Sequence, residues 1–378
     1  MMGGMQMQML ARSFLVYDLT GSAVLLGVVN AGSAIPMLTL VLFGGVIADR
    51  VDRKKIIQVG QFAAAGLSLA VGVAIATDTV TWYHLLAASV LQGGFFAIMG
   101  PARQAIVPQL VNKNQLTNAM ALNAAGMSVT TLVAPAIGGG VYAFFGADKV
   151  YYIISGLGLV AVLLTSFLPT MSGAATKANT AMLSEIKAVF SYIRVTPLVL
   201  TLLLMGLLTT ILAMPFRFLM PVFVVDIYDL GVDSMGLMIA VMGGGSLVGA
   251  LFIASLGKKN RGMILILASF ASAISLLLVA AVPIYAFAVG VMVLLGMGDA
   301  GRRALNQALI MEISEDQYRG RVMSVFMLNF GLMPLATLPV GIIADVWGGQ
   351  AAIGVLGILL LLTSIVIFAT QKRLRNFQ

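Results

Sequence analysis

The chain has 378 residues, 60% of them hydrophobic and only 10% charged, with a mean hydropathy of +1.03. A soluble domain carries about a quarter of its residues as Asp, Glu, Lys and Arg, so this composition excludes one and describes an all-α membrane protein. The formal net charge of +8 comes with no basic-aromatic surface that would point to nucleic acid. The lack of cysteine excludes disulfides, thiolate metal sites and Cys nucleophiles, and leaves the compartment open. The start, Met1 to Leu10, has no basic n-region, so no cleavable signal segment is expected.

A spanning helix needs about 20 mostly apolar residues. The first candidate, Met1 to Tyr17, is short of that and leaves through the turn Asp18-Leu19-Thr20-Gly21. Full-length candidates follow at 24–48, 56–77, 82–104, 120–145, 150–168, 198–225, 234–256, 262–282, 284–304, 322–344 and 350–370. Counting the shortened first helix gives twelve spans, with both termini on the same side. Of the 22 basic residues, all but Arg12, Lys149 and Arg217 then fall in or beside connections on that side. The opposite turns carry Asp18, Asp78, Asp148, Asp226, Asp229 and Asp233. Basic connections stay on the cytoplasmic side, so both ends are expected to be cytoplasmic.

Residues 169–197 form the longest connection and divide the chain into a first half, 1–168, and a second, 198–378. Met182, Leu183, Ile186, Val189, Phe190 and Ile193 recur there at helical spacing. That stripe suits an amphipathic helix lying on the inner membrane surface, or equally one packed against the bundle. The halves repeat each other. Gln104-Ala105-Ile106-Val107 returns as Gln307-Ala308-Leu309-Ile310, Met120-Ala121-Leu122 as Met323-Ser324-Val325, and Lys54-Lys55 as Lys258-Lys259. Such a repeat describes a chain built from two similar six-helix halves.

The connection Gly45 to Lys55 packs Asp49, Arg50, Arg53, Lys54 and Lys55 between two apolar segments. It resembles the signature loop G-x-x-x-D-R-x-G-R-[KR] of major facilitator superfamily transporters. Gly45, Asp49, Arg50, Arg53 and Lys54 match, and Asp52 stands where Gly is usual. The resemblance implies the major facilitator fold and a cytoplasmic latch. In that latch the Asp49 carboxylate faces the positive end of a helix in the other half, which begins near Arg321, and Arg103 is a charge partner. The segment Ala134-Pro135-Ala136-Ile137-Gly138-Gly139 resembles the G-P-x-x-G-G motif of facilitator-family exporters, with Ala134 in place of the first Gly. Pro135 removes a helix hydrogen bond, and Gly138 and Gly139 permit close packing. Gln92-Gly93 is present, but Ser89 occupies the position where many proton-coupled relatives carry Arg.

Charges at membrane depth are few, and each is a candidate functional group. Arg12 and Arg217 lie 205 positions apart, close to the repeat shift, and two guanidiniums lining a cavity favour an anionic substrate. The other reading is that each snorkels to the outer interface. Asp299 precedes Arg302 and Arg303 by three and four residues, the spacing of intrahelical ion pairs; a proton-carrying carboxylate is the sharper reading. His84 follows Trp82 and Tyr83 and reads as an aromatic-belt residue. With one His, no Cys and one deep acid, no catalytic set assembles. No enzyme activity, cofactor or metal is expected.

Three phrases, Met7-Gln8-Met9-Leu10-Ala11-Arg12 running into LVYDLTGSA, GPARQAIVPQL from Gly100, and Tyr318-Arg319-Gly320-Arg321-Val322-Met323-Ser324, resemble the enterobactin exporter-like subgroup of siderophore and drug efflux proteins. Asp at position 52 is not unusual there. Relatives in that subgroup have a cytoplasmic lead and a complete first helix, so the chain is expected to lack N-terminal residues. The resemblance implies a monomeric exporter of a siderophore- or drug-like molecule in the bacterial cytoplasmic membrane, driven by protons moving the other way. A nutrient importer of the same fold is the alternative.

Overall fold

Backbone groups in hydrocarbon have no water to bond, so long apolar runs close their hydrogen bonds within helices. The computed structural model describes residues 1–40, 47, 51–110, 115–169, 182–255 and 260–375, and among them every regular element is a helix. In chain order these are α1 (Met2–Thr20), α2 (Ala23–Ala31, resuming over 34–40 after the turn at Gly32-Ser33), α3 (Arg53–Ala76), α4 (Trp82–Leu110), α5 (Leu116–Phe145) and α6 (Ala147–Ser166). There follow α7 (Met182–Val195), α8 (Pro197–Ala213), α9 (Pro215–Val222), α10 (Val232–Ser255) and α11 (Arg261–Ala281). The last are α12 (Tyr285–Ile313), α13 (Asp316–Leu332), α14 (Thr337–Trp347), α15 (Gly349–Thr370) and the short α16 (Lys372–Arg375).

Ten helical segments among the described residues are long and apolar enough to cross a membrane. Twelve spans are expected from sequence; α1 and α12, which carry the membrane-depth charges Arg12 and Asp299, lie outside the set of ten. α1 has 19 residues and ends at Gly21, which takes the left-handed conformation (φ 59°) and returns its N–H to the Tyr17 carbonyl. Several boundaries differ from the hydropathy reading. α4 runs to Leu110 and α12 to Ile313, past 104 and 304, because helix continues through polar residues that hydropathy discards. α13 begins at Asp316 instead of near Arg321, for the same reason. The expected single spans 198–225 and 322–344 are each interrupted, at Met214-Pro215 and by a 3₁₀ turn Pro334–Ala336. Proline supplies no N–H to continue the ladder.

The chain forms two compact units. Unit 1 comprises Met1–Thr176 with Phe218–Ala240 and Thr337–Ile342; unit 2 comprises Lys177–Arg217, Val241–Ala336 and Ile343–Gln378. Unit 1 therefore takes in two pieces of the second sequence half, both from the side that the charge bias assigns to the outside. In unit 2, the connecting helix α7 is packed and not free. Val189, Tyr192 and Ile193 are buried with Val199, Leu202, Phe326 and Leu374, while Phe190 faces out. Tyr192 stacks on Tyr318 at 4.3 Å, and its hydroxyl accepts the Glu315 N–H at 3.1 Å. Of the amphipathic stripe, Met182, Leu183 and Ile186 have side chains outside those described.

Candidate transport site

Helical geometry puts Gln8 and Arg12 one turn apart on one face of α1. Arg12 is only 7% exposed, so it does not snorkel to an interface. Its Nη1 donates to Gln92 Oε1 (3.0 Å) and its Nη2 to Asn30 Oδ1 (3.4 Å), and Gln92 Nε2 in turn donates to Gln8 Oε1 (2.6 Å). Arg12 Nε and the buried Tyr151 hydroxyl have no hydrogen-bond partner among the described residues. No carboxylate there pairs with Arg12 either. A guanidinium is always charged, so a full positive charge rests on neutral amides. Gln8 and Gln92 also line a cavity of about 40 Å³ with Gln61, Ser68, Phe96 and Met99. That volume holds a functional group, not a ligand of several hundred Å³.

Unit 2 holds its deep charges differently. Asp299, 3% exposed, receives Arg302 Nη2 at 3.2 Å and Arg303 Nη2 at 2.7 Å, the two i+3 and i+4 pairs that the spacing suggests. Arg302 is itself buried and gives Nη1 to the Thr209 carbonyl at 3.0 Å. Arg217, on α9, lies within electrostatic reach of Asp299 and Arg303. Arg12 thus belongs to unit 1 and Arg217 to unit 2.

Of the signature loop, Gly45, Asp49 and Arg50 lie outside the described residues, and so does the side chain of Arg321 on α13. Asp52, the departure from the family pattern, caps α3: its carboxylate accepts the Lys54 N–H at 2.9 Å. A glycine there would leave that donor without this partner. Arg53 is buried at the start of α3. Lys54 Nζ donates to the carbonyls of Ser166 and Leu168, at 2.7 and 2.6 Å. It ties the loop to the C-terminal end of α6, where cations are favoured. Arg103, on α4, directs Nη1 at Met1 Sδ (3.7 Å).

The segment around Pro135 makes a close seam within unit 1. A methyl group at Gly236 would stand 2.7 Å from the Pro135 carbonyl oxygen, and one at Gly139 would stand 2.9 Å from the Val232 carbonyl oxygen. Gly138 faces Met7 of α1. Nearby, a π-helical turn Phe223–Ile227 presents Asp226 to the Tyr17 hydroxyl, which donates to it. Such turns interrupt regular helix at functional positions. Just beyond it, burial pushes the Tyr228 hydroxyl up to about 12, so it stays protonated at neutral pH. His84 Nδ1 accepts the Thr81 N–H at 3.1 Å at the start of α4, beside the stacked Trp82 and Tyr83 rings.

Sequence reasoning missed the Arg12 cradle, the Lys54 tie and the Tyr17–Asp226 bond. Their partners are far apart in the chain, and only the Asp52 cap carried a local signal.

Long apolar helices with arginines buried among them are the build of a multi-pass membrane protein. The chain belongs to the Major Facilitator Superfamily, whose profile matches residues 1–336 and 216–376. It is similar to the Staphyloferrin A transporter of Staphylococcus aureus (25% identity over 94% of this chain and 89% of the relative). Macrolide efflux protein A of Streptococcus pyogenes is 28% identical over 87% of this chain and 82% of its own length. Enterobactin exporter EntS of Salmonella typhi is 26% identical over 84% and 74%. Among solved structures, a variant of the nucleoside transporter NupG superposes with TM-score 0.75 at 14% identity, covering 97% of this chain and 99% of its own. A bacterial homologue of the human lysosomal transporter Spinster, described as inward-facing and occupied, gives 0.75 at 14% identity, covering 99% and 97%. At these identities the structures speak for the fold alone. The relatives named are transporters, and the chain is a membrane transporter of a small molecule.

Proposed function

We propose that this transporter exports a siderophore- or drug-like molecule with an anionic group across the bacterial cytoplasmic membrane, in exchange for protons. The observation that carries the anionic part is Arg12: a buried, permanent cation held by Gln92 and Asn30 without a carboxylate among the described residues. A cation at the bilayer centre costs about 3 kcal/mol, and a substrate anion would offset that cost. Export is supported by the efflux named in several relatives and by the Pro135-Ala136-Ile137-Gly138-Gly139 segment. Arg217 is the second cavity cation. Asp299 is the proton-carrying group. Gly45, Asp49, Arg50, Arg53, Lys54, Arg103 and Arg321 form the cytoplasmic latch, residues 169–197 join the two six-helix halves, both termini are cytoplasmic, and the working unit is a monomer.

The test is a strain deleted for the gene and challenged with a panel of siderophores and drugs. Export predicts higher cellular accumulation and sensitivity on deletion, with rescue by the intact gene; lower accumulation would make it an importer. Asp49→Asn is expected to lower transport strongly at unchanged membrane insertion, and normal transport by that variant would reduce the loop to a topology signal. Reporter fusions at Thr176 and Gln378 are both expected to read cytoplasmic.

A further inference from the structure

Arg302, Arg303 and Asp299 of unit 2 line a small cavity, of about 20 Å³, together with Gly206, Thr209, Thr210, Asn306 and Phe326. Two arginines and one aspartate face it, so its walls carry a net charge of +1. The arginines are not equal. Arg302 is 5% exposed and fixed twice, to Asp299 and to the Thr209 carbonyl. Arg303 has 45% of its side chain exposed and, among the described residues, one ion pair, to Asp299 Oδ2. Around them are buried polar atoms with no partner among the described residues: Arg302 Nε, Asn306 Oδ1 and Asn329 Nδ2. The backbone of α8 comes so close at Gly206 that a methyl group there would be 2.3 Å from Asn306 Nδ2 and 3.3 Å from Asn329 Nδ2. Buried polar groups are nearly always satisfied, and the unsatisfied donors Arg302 Nε and Asn329 Nδ2 beside an excess cation fit an acceptor that the described residues do not supply.

We propose that this cavity is a carboxylate-binding subsite in which Asp299 is the resident stand-in for the ligand. Arg303 is the exchangeable ligand: it swings from Asp299 to the incoming carboxylate, while Arg302 keeps Asp299 in place. The cavity has room for a carboxylate group and not for the rest of a ligand, so it reads a head group. Asp299 sets the affinity by competing for Arg303. The proposal rests on the transporter reading but on neither the direction of transport nor Arg12.

The competition gives a signature that a purely structural ion pair lacks. Purified, full-length protein in detergent and chloride-free buffer is titrated with benzoate by calorimetry, with benzamide as the uncharged isostere. Benzoate binds and benzamide does not. Asp299→Asn binds benzoate about tenfold more tightly, because the resident carboxylate is gone. Arg303→Gln, read in an Arg12→Gln background so that this cavity alone is titrated, weakens binding at least tenfold. Equal binding of benzoate and benzamide, no benzoate binding to the unaltered protein, or an Asp299→Asn affinity equal to or below it overturns the proposal. If Asp299→Asn yields no monodisperse protein, Arg303→Gln decides, its fold checked by thermal melting: retained affinity overturns the subsite and lost affinity sustains it. Failure of the export reading appears separately, as normal accumulation in the deletion strain with these binding results intact.

Discussion

Unit 1 and unit 2 each bury arginine in an apolar helical bundle, and they stabilise it in opposite ways. In unit 1, Arg12 has amide oxygens from Gln92 and Asn30 and no described carboxylate. In unit 2, Arg302 and Arg303 share Asp299. A cation solvated only by neutral dipoles is poorly compensated, and the difference teaches where an incoming anion gains most. At Arg12 it meets no competitor. At Arg303 it must displace one.

The comparison makes its largest demand on stability. Arg302→Met removes the fixed partner of a buried aspartate and should destabilise the protein by about 3 kcal/mol, read as a clear fall in melting temperature. Arg12→Met removes a poorly compensated charge and should leave the melting temperature unchanged or raised, while export of anionic substrates falls at least tenfold, or about 1.4 kcal/mol. Equal destabilisation by the two variants would break the contrast. A smaller effect is expected at the seam of unit 1, where Gly236→Ala drives a methyl group against the Pro135 carbonyl and should cost about 1–3 kcal/mol. Gly140→Ala, with open space around it, is the neutral control. The smallest effects concern a device found in both units, a cation capping a helix end. Lys54 binds the last carbonyls of α6, and Arg319 donates Nε to the Met311 carbonyl at 2.7 Å near the end of α12. Lys54→Gln and Arg319→Gln should each lower stability by about 1 kcal/mol. A much larger loss from only one of them would show that the two caps are not equivalent.

What the sequence disclosed follows the range of each interaction. The spans and the charge bias rest on composition and were legible. The Asp299 pairs rest on i+3 and i+4 spacing and were legible as well. Pro215 and Pro334 interrupt helices that hydropathy read as continuous, because apolarity is blind to a missing N–H. Arg12 stood out as a charge at membrane depth, but Gln92 and Asn30 are brought to it by helix packing that no local pattern encodes. The same holds for Tyr17 and Asp226, which meet across more than half the chain. Asp52 read as a departure from the family pattern when seen as a motif position. Read as an aspartate one residue ahead of a helix, it is an N-cap.

The central claim is that Arg12 receives the substrate's negative charge. The most direct measurement is cellular accumulation of paired panel compounds, each a carboxylate and its neutral methyl amide, in the deletion strain carrying the intact gene or the Arg12→Gln variant at matched membrane levels. The account predicts that the variant loses export of the carboxylates at least tenfold while the amides change by less than about twofold. Equal loss for both members of each pair would contradict it and leave Arg12 a structural residue.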